Sequence, residues 1–307
     1  MKNLKIVLIL AAFFATNIGS IAYSQDALLS CRTLETGNDV PSNGNMECTA
    51  TPTSLKFNIY ELSLCTAAAN PSNQASEGTN PCTKLHYDVF GEEIDLTGVG
   101  ASIQLGSDVS LAEGTYTHAL LKMNVDFSMT TKFQFAASRT ADTTPQSSGE
   151  FCYSNGSDIS GEPVSGASHI TCSDAFPSTV EASTDSIKLL GEEATGFDMN
   201  QEIAISTTLG GVTSVTDLYI LDSDGTQSSG DLTYNPSDGT PVLSGSSDRK
   251  YIMASQILAS PVVISPSTSS VELGILVADS SSIGLDPGNG NIISNIFNGL
   301  IIQISAN

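Results

Sequence analysis

The sequence of 307 residues contains no tryptophan, and aromatic residues make up only 6% of it. Glycosidases commonly hold sugars on aromatic platforms, so this scarcity argues against that class of enzyme. Long patterns of alanine, leucine, glutamate and lysine that would predict helices are also missing. The core must therefore be built from valine, isoleucine, leucine and methionine. The many glycine, serine and threonine residues predict short strands joined by turns.

Basic residues are scarce as well: 11 lysines and arginines stand against 33 aspartates and glutamates, a net charge of −22 at pH 7. Such a charge repels nucleic-acid phosphates and anionic lipid headgroups. We therefore predict no nucleic-acid partner. The acidic surface favours solubility, cation binding or basic partners, although contact with water alone would account for it.

The sequence also lacks catalytic motifs. Its three histidines, His86, His118 and His169, belong to no Gly-x-Ser-x-Gly or His-Glu-x-x-His motif. Residues 247–250 have the spacing Ser-x-x-Lys, but they precede a predicted strand and no partner motif follows. The sequence thus predicts a protein that is not an enzyme, with all three histidines on solvent-facing strand or loop positions.

The first residues have the pattern of a secretory signal peptide. Lys2 and Lys5 form a short basic region before an uncharged apolar run at residues 6–15. The small residues Ala22 and Ser24 fit cleavage before Gln25. The run is too short for a bilayer span of ~20 residues. We therefore predict a secreted, cell-surface or periplasmic protein with no membrane span after cleavage. The mature chain would keep nine basic and all 33 acidic residues, a net charge of −24.

Two alternatives to this cleavage are open. The apolar run would act as an N-terminal anchor if it were not removed. Residues 28–31, Leu-Leu-Ser-Cys, resemble a lipobox, which would make Cys31 a lipidated N-terminus. A lipobox normally follows the apolar run directly, whereas Gln25 and Asp26 separate this cysteine from the run. Cleavage before Gln25 is therefore favoured.

The six cysteines form an even set in a chain predicted to be exported, which indicates disulfide bonds. Sequence alone does not fix their pairing, but the spacing favours neighbours: Cys31–Cys48, Cys65–Cys82 and Cys152–Cys172. Polar loops separate the cysteines of the second and third pairs, and closing each loop would contribute about 3 kcal/mol of stability. No Cys-x-x-Cys spacing occurs, so a cysteine-bound metal is not expected.

Alternating apolar residues predict the strands. The longest alternation covers residues 116–129, with an apolar residue at every odd position from 119 onwards. Another odd-numbered apolar pattern ends at Ile59 and an even-numbered one begins at Leu62, which predicts a bulge near residues 60–61. Further strand signals, separated by turns rich in aspartate and glycine, begin near Ser186.

These signals predict an all-β fold, an antiparallel β-sandwich stapled by disulfides, as one large or two packed domains. The predicted boundaries are a signal peptide at 1–24, a polar segment at 25–50 and a sandwich domain at 51–180. A second β block at 181–307 is either separate or part of the same sandwich.

Three carboxylates give the best candidate for a ligand site. Asp222, Asp224 and Asp231 lie close together in the sequence, with Gly225 between them. Calcium prefers several oxygen ligands on a short loop, so these residues are a candidate calcium site, although the closing glutamate of an EF-hand is missing. The alternative is a hairpin turn that uses aspartate and glycine for its geometry. No other cofactor is predicted.

Residues 111–117, Leu-Ala-Glu-Gly-Thr-Tyr-Thr, open the longest predicted strand. They resemble a pattern in prealbumin-like β-sandwich modules of bacterial surface proteins, where the leucine, glycine and tyrosine form the turn into a core strand. The resemblance covers roughly residues 51–135 and implies that Leu111 and Tyr116 cover one end of a sandwich. Some such modules carry a Lys–Asn isopeptide bond promoted by a glutamate after the tyrosine. Residues 117–120 contain no acid, so no such bond is expected here.

The C-terminal tail, residues 292–304, is the most apolar stretch after the signal peptide and carries no charge. It needs a buried position, either as a central strand of its own domain, which is favoured, or on the strand edge of a neighbouring subunit. Together these features predict an exported structural or adhesive surface protein that assembles with itself or with other surface proteins. The alternative is an extracellular or periplasmic binding module for a small ligand, a glycan or calcium.

Overall fold

The computed structural model describes residues 2–8, 46–74, 80–96, 109–142, 145–158, 170–186, 203–209, 212–227, 230–234, 241–245, 249–286, 289–297 and 299–307. These residues form strands almost throughout, so the predicted all-β class is confirmed. The first ten strands are β1 (Lys2–Leu8), β2 (Met46–Ala50), β3 (Ser54–Cys65), β4 (Cys82–Asp95), β5 (Val109–Leu111), β6 (Gly114–Asn124), β7 (Asp126–Thr130), β8 (Lys132–Ala141), β9 (Ser147–Ser154) and β10 (Ile170–Ser173).

The second ten strands are β11 (Ser183–Ser186), β12 (Ile203–Leu209), β13 (Val212–Asp222), β14 (Gly230–Tyr234), β15 (Pro241–Gly245), β16 (Arg249–Ile264), β17 (Ser270–Leu276), β18 (Ser281–Leu285), β19 (Ile292–Phe297) and β20 (Ile301–Ala306). A single turn of helix, α1 (Pro71–Gln74), interrupts them in the described chain. Among the helices of the described residues, none has the length and apolar character needed to cross a membrane.

The largest sheet is antiparallel and has eight strands. Seven follow the order β11-β7-β3-β6-β16-β13-β12, and β4 also pairs with β3. The alternation predicted for residues 116–129 lies near its centre, where it forms β6 and, after a break at Val125, β7. The odd-numbered apolar residues of this stretch are all buried: Ala119, Leu121, Met123, Val125, Phe127 and Met129.

In β3, the residues that face the core change from odd-numbered to even-numbered positions where the sequence predicts a bulge. Its pairing with β4 and with β6 shifts between Ile59 and Glu61. Before the shift Ile59 joins the main core, and after it Leu62 and Leu64 do. Since successive side chains of a strand point to opposite faces, the bulge turns Glu61 and Ser63 to the outer face of the large sheet.

Two smaller sheets follow the orders β20-β17-β1-β5 and β10-β9-β8-β19-β18-β2, and β14 forms a hairpin with β15. Val271 and Leu273 of β17 and Ile302 of β20 share the main core with apolar residues of β3, β6 and β16. Gln256 of β16 links these layers, because its side-chain oxygen accepts a hydrogen bond from the N–H of Ile302 (2.6 Å) and its amide donates to the carbonyl of Leu300 (3.3 Å). The arrangement is that of a β-sandwich.

A second apolar cluster lies in the six-stranded sheet. Phe133 and Phe135 of β8 are its largest members and are fully buried. Apolar residues of β9, β10, β18 and β19 surround them. The side chains that fill this cluster come from distant parts of the sequence, so the six strands are held by packing as well as by their hydrogen bonds.

Two of the three predicted disulfides are confirmed, Cys65–Cys82 and Cys152–Cys172. Each joins residues that lie directly opposite one another on paired antiparallel strands, with Cα atoms 4.0 Å apart. Each therefore closes the base of a polar hairpin connection. The third pair, Cys31–Cys48, stays a prediction, because Cys31 lies outside the described residues.

Strands from both predicted blocks share these sheets. β16 of the second block lies beside β6 of the first, and β18 pairs with β2 of the predicted polar segment. The C-terminal tail forms β19 and β20, which pair with β18 and β17. The tail therefore pairs with strands of its own chain, as favoured, but β20 is an edge strand of its sheet and not a central one. Gly299, with a φ of +97°, breaks the apolar run, so that its two halves enter different sheets.

Candidate functional site

The first candidate site is the position of β1 between β17 and β5. β1 runs parallel to β17, with residues 5–8 opposite residues 270–273. It runs antiparallel to β5, with residues 2–4 opposite residues 109–111. In the sheets of the described chain, β17 and β5 are joined only through β1. We call the gap that β1 fills between these two strands the strand seat.

The strand seat borders the main core. Val271 and Leu273 of β17 are 0% exposed and Leu111 of β5 is 3% exposed, and all three belong to the core cluster. Without β1, backbone N–H and C=O groups would lose their partners next to these buried side chains, and each unpaired buried group costs free energy. An open strand edge of this kind is a place where another strand can add.

The strand that fills the seat belongs to the predicted signal peptide. β1 ends at Leu8, and the rest of the predicted signal peptide, residues 9–24, lies outside the described residues. The predicted cleavage before Gln25 would remove β1 from the protein and open the seat. Sequence analysis missed this site, because an apolar run shows that a segment can be buried but not which strands it would pair with.

The second candidate site is a cavity of about 260 Å³ on the outer face of the large sheet, which we call the polar pocket. Leu120, Leu221 and Met253 form its apolar floor and belong to a small outer cluster of buried residues. The loop between β3 and β4 and the turn after β13 flank it. Its charged and amide side chains are Glu61, Gln74, Asn80, Lys84, Lys122 and Asp224.

The loop that forms one wall of the polar pocket is folded back on the sheet. The disulfide between Cys65 and Cys82 closes its base. The N–H of Ala69 donates to the hydroxyl oxygen of Ser255 in β16 (3.0 Å), and both residues are fully buried. The wall is therefore fixed at two points, by a covalent bond and by a buried hydrogen bond.

Glu61 is the buried acid of the polar pocket. The bulge in β3 brings it to the outer face, where it is 8% exposed. One carboxylate oxygen accepts a hydrogen bond from the hydroxyl of Ser63 (2.8 Å), and the other lies 3.1 Å from the ammonium of Lys84. Lys84 also lies over the ring of Tyr87, 4.0 Å from the centroid. The carboxylate of Glu61 is thus paired inside the protein.

Lys122 is the second cation of the polar pocket. Its ammonium lies over the ring of Tyr251, 4.2 Å from the centroid. Among the described residues, no carboxylate oxygen lies within 4.0 Å of it. Burial is the main cause that lowers the pKa of Lys122; Glu61 acts against this effect, and Lys84 adds to it. The pocket therefore holds a half-buried cation whose charge is only partly offset.

Comparisons with protein-family models, with curated proteins and with solved structures find no match for this chain. The resemblance of residues 111–117 to prealbumin-like modules therefore stays a prediction. The structure does bury Leu111 and Tyr116 in the main core, and the hydroxyl of Tyr116 donates to the carbonyl of Ala112 (3.0 Å).

Of the predicted calcium ligands, Asp222 ends β13, Asp224 lies on the turn that follows and Asp231 lies in β14. Asp224 accepts hydrogen bonds from the hydroxyl and the N–H of Thr226 (2.7 and 2.9 Å), and these bonds lower the pKa of Asp224. The N–H of Asp222 donates to the carbonyl of Thr226 (2.9 Å), and Asp231 lies opposite Ser244 in β15. In the described part of the chain, no three His, Cys, Asp or Glu side chains form a metal-binding group. The calcium site stays a prediction.

The histidines differ from the expectation of solvent-facing positions. His86 is buried in β4, with its Nε2 3.6 Å from a carboxylate oxygen of Glu92, so the prediction for this residue is wrong. The pairing of β4 with β3 shifts between Leu62 and Ser63, which lie opposite His86 and Lys84, so Leu85 is the extra residue of a bulge and both Leu85 and its neighbour His86 are buried. His118 is partly buried, and its Nδ1 lies 2.8 Å from the hydroxyl oxygen of Thr117. His169 lies outside the described residues.

Proposed function

We propose that this chain is an exported, non-enzymatic structural or adhesive surface protein that assembles by accepting a strand at the strand seat. The observation that carries the proposal is the position of β1: a strand from the predicted signal peptide completes the sheet between β5 and β17. The two disulfides fit an oxidising compartment outside the cytoplasm.

The added strand comes from a second copy of the chain or from another surface protein. The C-terminal tail of each copy already pairs with β17 and β18 of its own sheets, so it is not free to fill the seat. Removal of β1 leaves β17 paired on one side only. Because Val271 and Leu273 lie buried at that edge, an extended segment from such a partner would restore the backbone hydrogen bonds beside the core.

An exposed apolar patch on β4 supports a surface role. Tyr87, Val89 and Phe90 are exposed, and Phe90 reaches 88%. Contiguous exposed apolar side chains are a common feature of protein interaction sites. A patch at this position, on β4 of the large sheet, suits adhesion to a partner.

Assembly is tested by comparing residues 1–307 and residues 25–307, both produced in an oxidising cytoplasm where no signal peptidase acts. We expect the longer chain to be monomeric and the shorter one to form oligomers in size-exclusion chromatography with light scattering. A synthetic peptide of residues 2–8 should return the shorter chain to monomers. The matched control peptide carries Ile6→Pro, which lacks a backbone N–H and should have no effect.

The proposal fails if residues 25–307 form a stable monomer that does not bind the peptide. The same monomer would then favour the alternative, a binding module for a small ligand. The polar pocket is the observation on which that alternative rests.

A further inference from the structure

We propose that the polar pocket binds a small organic acid, with the carboxylate of the ligand at Lys122 and its carbon body on the floor formed by Leu120, Leu221 and Met253. This inference does not depend on assembly at the strand seat, because the pocket lies on the outer face of the large sheet and the seat belongs to the opposite layer.

The charges favour an anion. Two of the 11 basic residues of a chain with net charge −22 line one cavity. Among the described residues that line it, Glu61 is the only buried acid, and Lys84 already pairs with this carboxylate at 3.1 Å. The carboxylate of Asp224 accepts two hydrogen bonds from Thr226. A half-buried ammonium at Lys122 therefore lacks a close carboxylate among the described residues, and a bound carboxylate would supply one.

The floor favours a ligand with an apolar body. Leu120, Leu221 and Met253 are buried in the outer cluster, and they present carbon and sulfur atoms to the cavity. A cavity of about 260 Å³ is at the small end of ligand sites, so a short carbon chain or a single small ring fits it better than a polymer does. The side-chain amides of Gln74 and Asn80 also line the cavity, where the amide nitrogen of Gln74 donates a hydrogen bond to the amide oxygen of Asn80 (2.9 Å).

The pocket is built from five strands, one loop and one turn, which argues that its shape is fixed. β3, β4, β6, β13 and β16 supply the floor and three of the charged side chains, and the disulfide-closed loop supplies one wall. The turn on the other side is held by two backbone hydrogen bonds, from the N–H of Asp222 to the carbonyl of Thr226 and from the N–H of Gly225 to the carbonyl of Asp222. Gly225 in this turn has a φ of +84°, and a Cβ there would stand 3.7 Å from the Nζ of Lys122. The turn and the cation therefore lie side by side.

The test uses hexanoate as the probe and 1-hexanol as its neutral counterpart, with the disulfide-intact chain followed by ¹H–¹⁵N NMR. We expect saturable shifts from hexanoate at residues 69–74, 120–122 and 221–225, and binding of hexanol at least about tenfold weaker. Lys122→Met keeps the apolar stem and should weaken hexanoate binding at least about tenfold, whereas Lys122→Arg should retain it. Lys56→Met is the matched control, because Lys56 also lies on the large sheet but pairs with Asp95 at 2.9 Å, outside the pocket.

Two results would overturn the proposal: hexanol binding as tightly as hexanoate, or no saturable shifts in these three segments. Equal hexanoate binding by the wild type and by Lys122→Met would do the same. If Lys122→Met does not fold, the wild-type protein still decides, through reductive dimethylation of its lysines. Hexanoate should protect Lys122 but leave Lys56 unprotected, and equal labelling of Lys122 with and without hexanoate would contradict the assignment. Assembly of residues 25–307 is measured separately, so either proposal can fail alone.

Discussion

Removal of the Cys65–Cys82 disulfide by the double substitution Cys65→Ala and Cys82→Ala should cost about 3–4 kcal/mol of unfolding free energy. The bridge closes a loop with a sequence separation of 17 residues. In the chain-entropy treatment such a loop contributes about 3 kcal/mol, because the crosslink restricts the unfolded chain. Cys65 is fully buried, so the lost sulfur leaves a small cavity that adds up to about 1 kcal/mol.

The sheet itself should survive this change. β3 and β4 keep their pairing on both sides of the bulge, and the buried hydrogen bond from Ala69 to Ser255 still holds the loop. We therefore expect the circular-dichroism spectrum of the variant to match that of the wild type. Its urea midpoint should fall without a large change in the dependence of the free energy on urea, since a similar surface is exposed on unfolding.

Cys152→Ala with Cys172→Ala is the matched control. That bridge closes a loop with a separation of 20 residues, so its removal should cost a similar amount, about 3 kcal/mol. Only the first double variant changes a wall of the polar pocket, so only it should weaken hexanoate binding. A loss of stability below about 1 kcal/mol in both variants would refute the loop-closure reasoning. Equal loss of hexanoate binding in both would refute the assigned wall.

Three further substitutions test the core, the link between layers and the titration of a histidine. Phe133→Ala should cost about 3–5 kcal/mol in urea unfolding because Phe133 is fully buried, whereas Phe90→Ala, at an exposed position, should change stability by less than about 0.5 kcal/mol; similar effects would contradict the assigned cluster. Gln256→Leu should cost about 1–3 kcal/mol, since it leaves the buried N–H of Ile302 without its acceptor, and an unchanged urea midpoint would argue against that contact. Burial lowers the pKa of His118 below 6.5, so the unfolded chain takes up the proton first and stability is lost as the pH falls below 6.5. His118→Gln should flatten this part of the pH profile of the urea midpoint, and an identical profile would contradict the assignment.

Local patterns predicted the parts of the fold that depend on neighbours in the sequence. The alternation of residues 116–129 predicted β6 and β7, and the change of parity after Ile59 predicted the bulge that turns Glu61 outward. The two confirmed disulfides were predicted from the polar loops between their cysteines. In each case the signal and the structure it specifies lie within about 20 residues, so sequence spacing is enough to find them.

The strand order could not be predicted in the same way. β16 pairs with β6 across more than a hundred residues, and the tail divides between two sheets at Gly299. A period of two assigns side chains to faces, but it does not say which other strand or loop covers a face. For this reason Lys122 looked like an ordinary polar position, although the loop between β3 and β4 folds over its face. The buried His86 was missed because the alternation of Leu85, Tyr87 and Val89 gave no sign of the bulge at Leu85.

The two candidate sites differ in whether the chain completes them by itself. On the outer face of the large sheet, a disulfide fixes a loop over Leu120 and Met253, and a small pocket results that does not need another chain. At the strand seat, by contrast, β17 pairs through backbone groups with β1, whose sequence is the predicted export signal. If export removes β1, the hydrogen bonds that it provides must come from elsewhere, and the paired tail cannot provide them. Maturation of the chain would then create its assembly site, whereas the pocket would be complete both before and after cleavage.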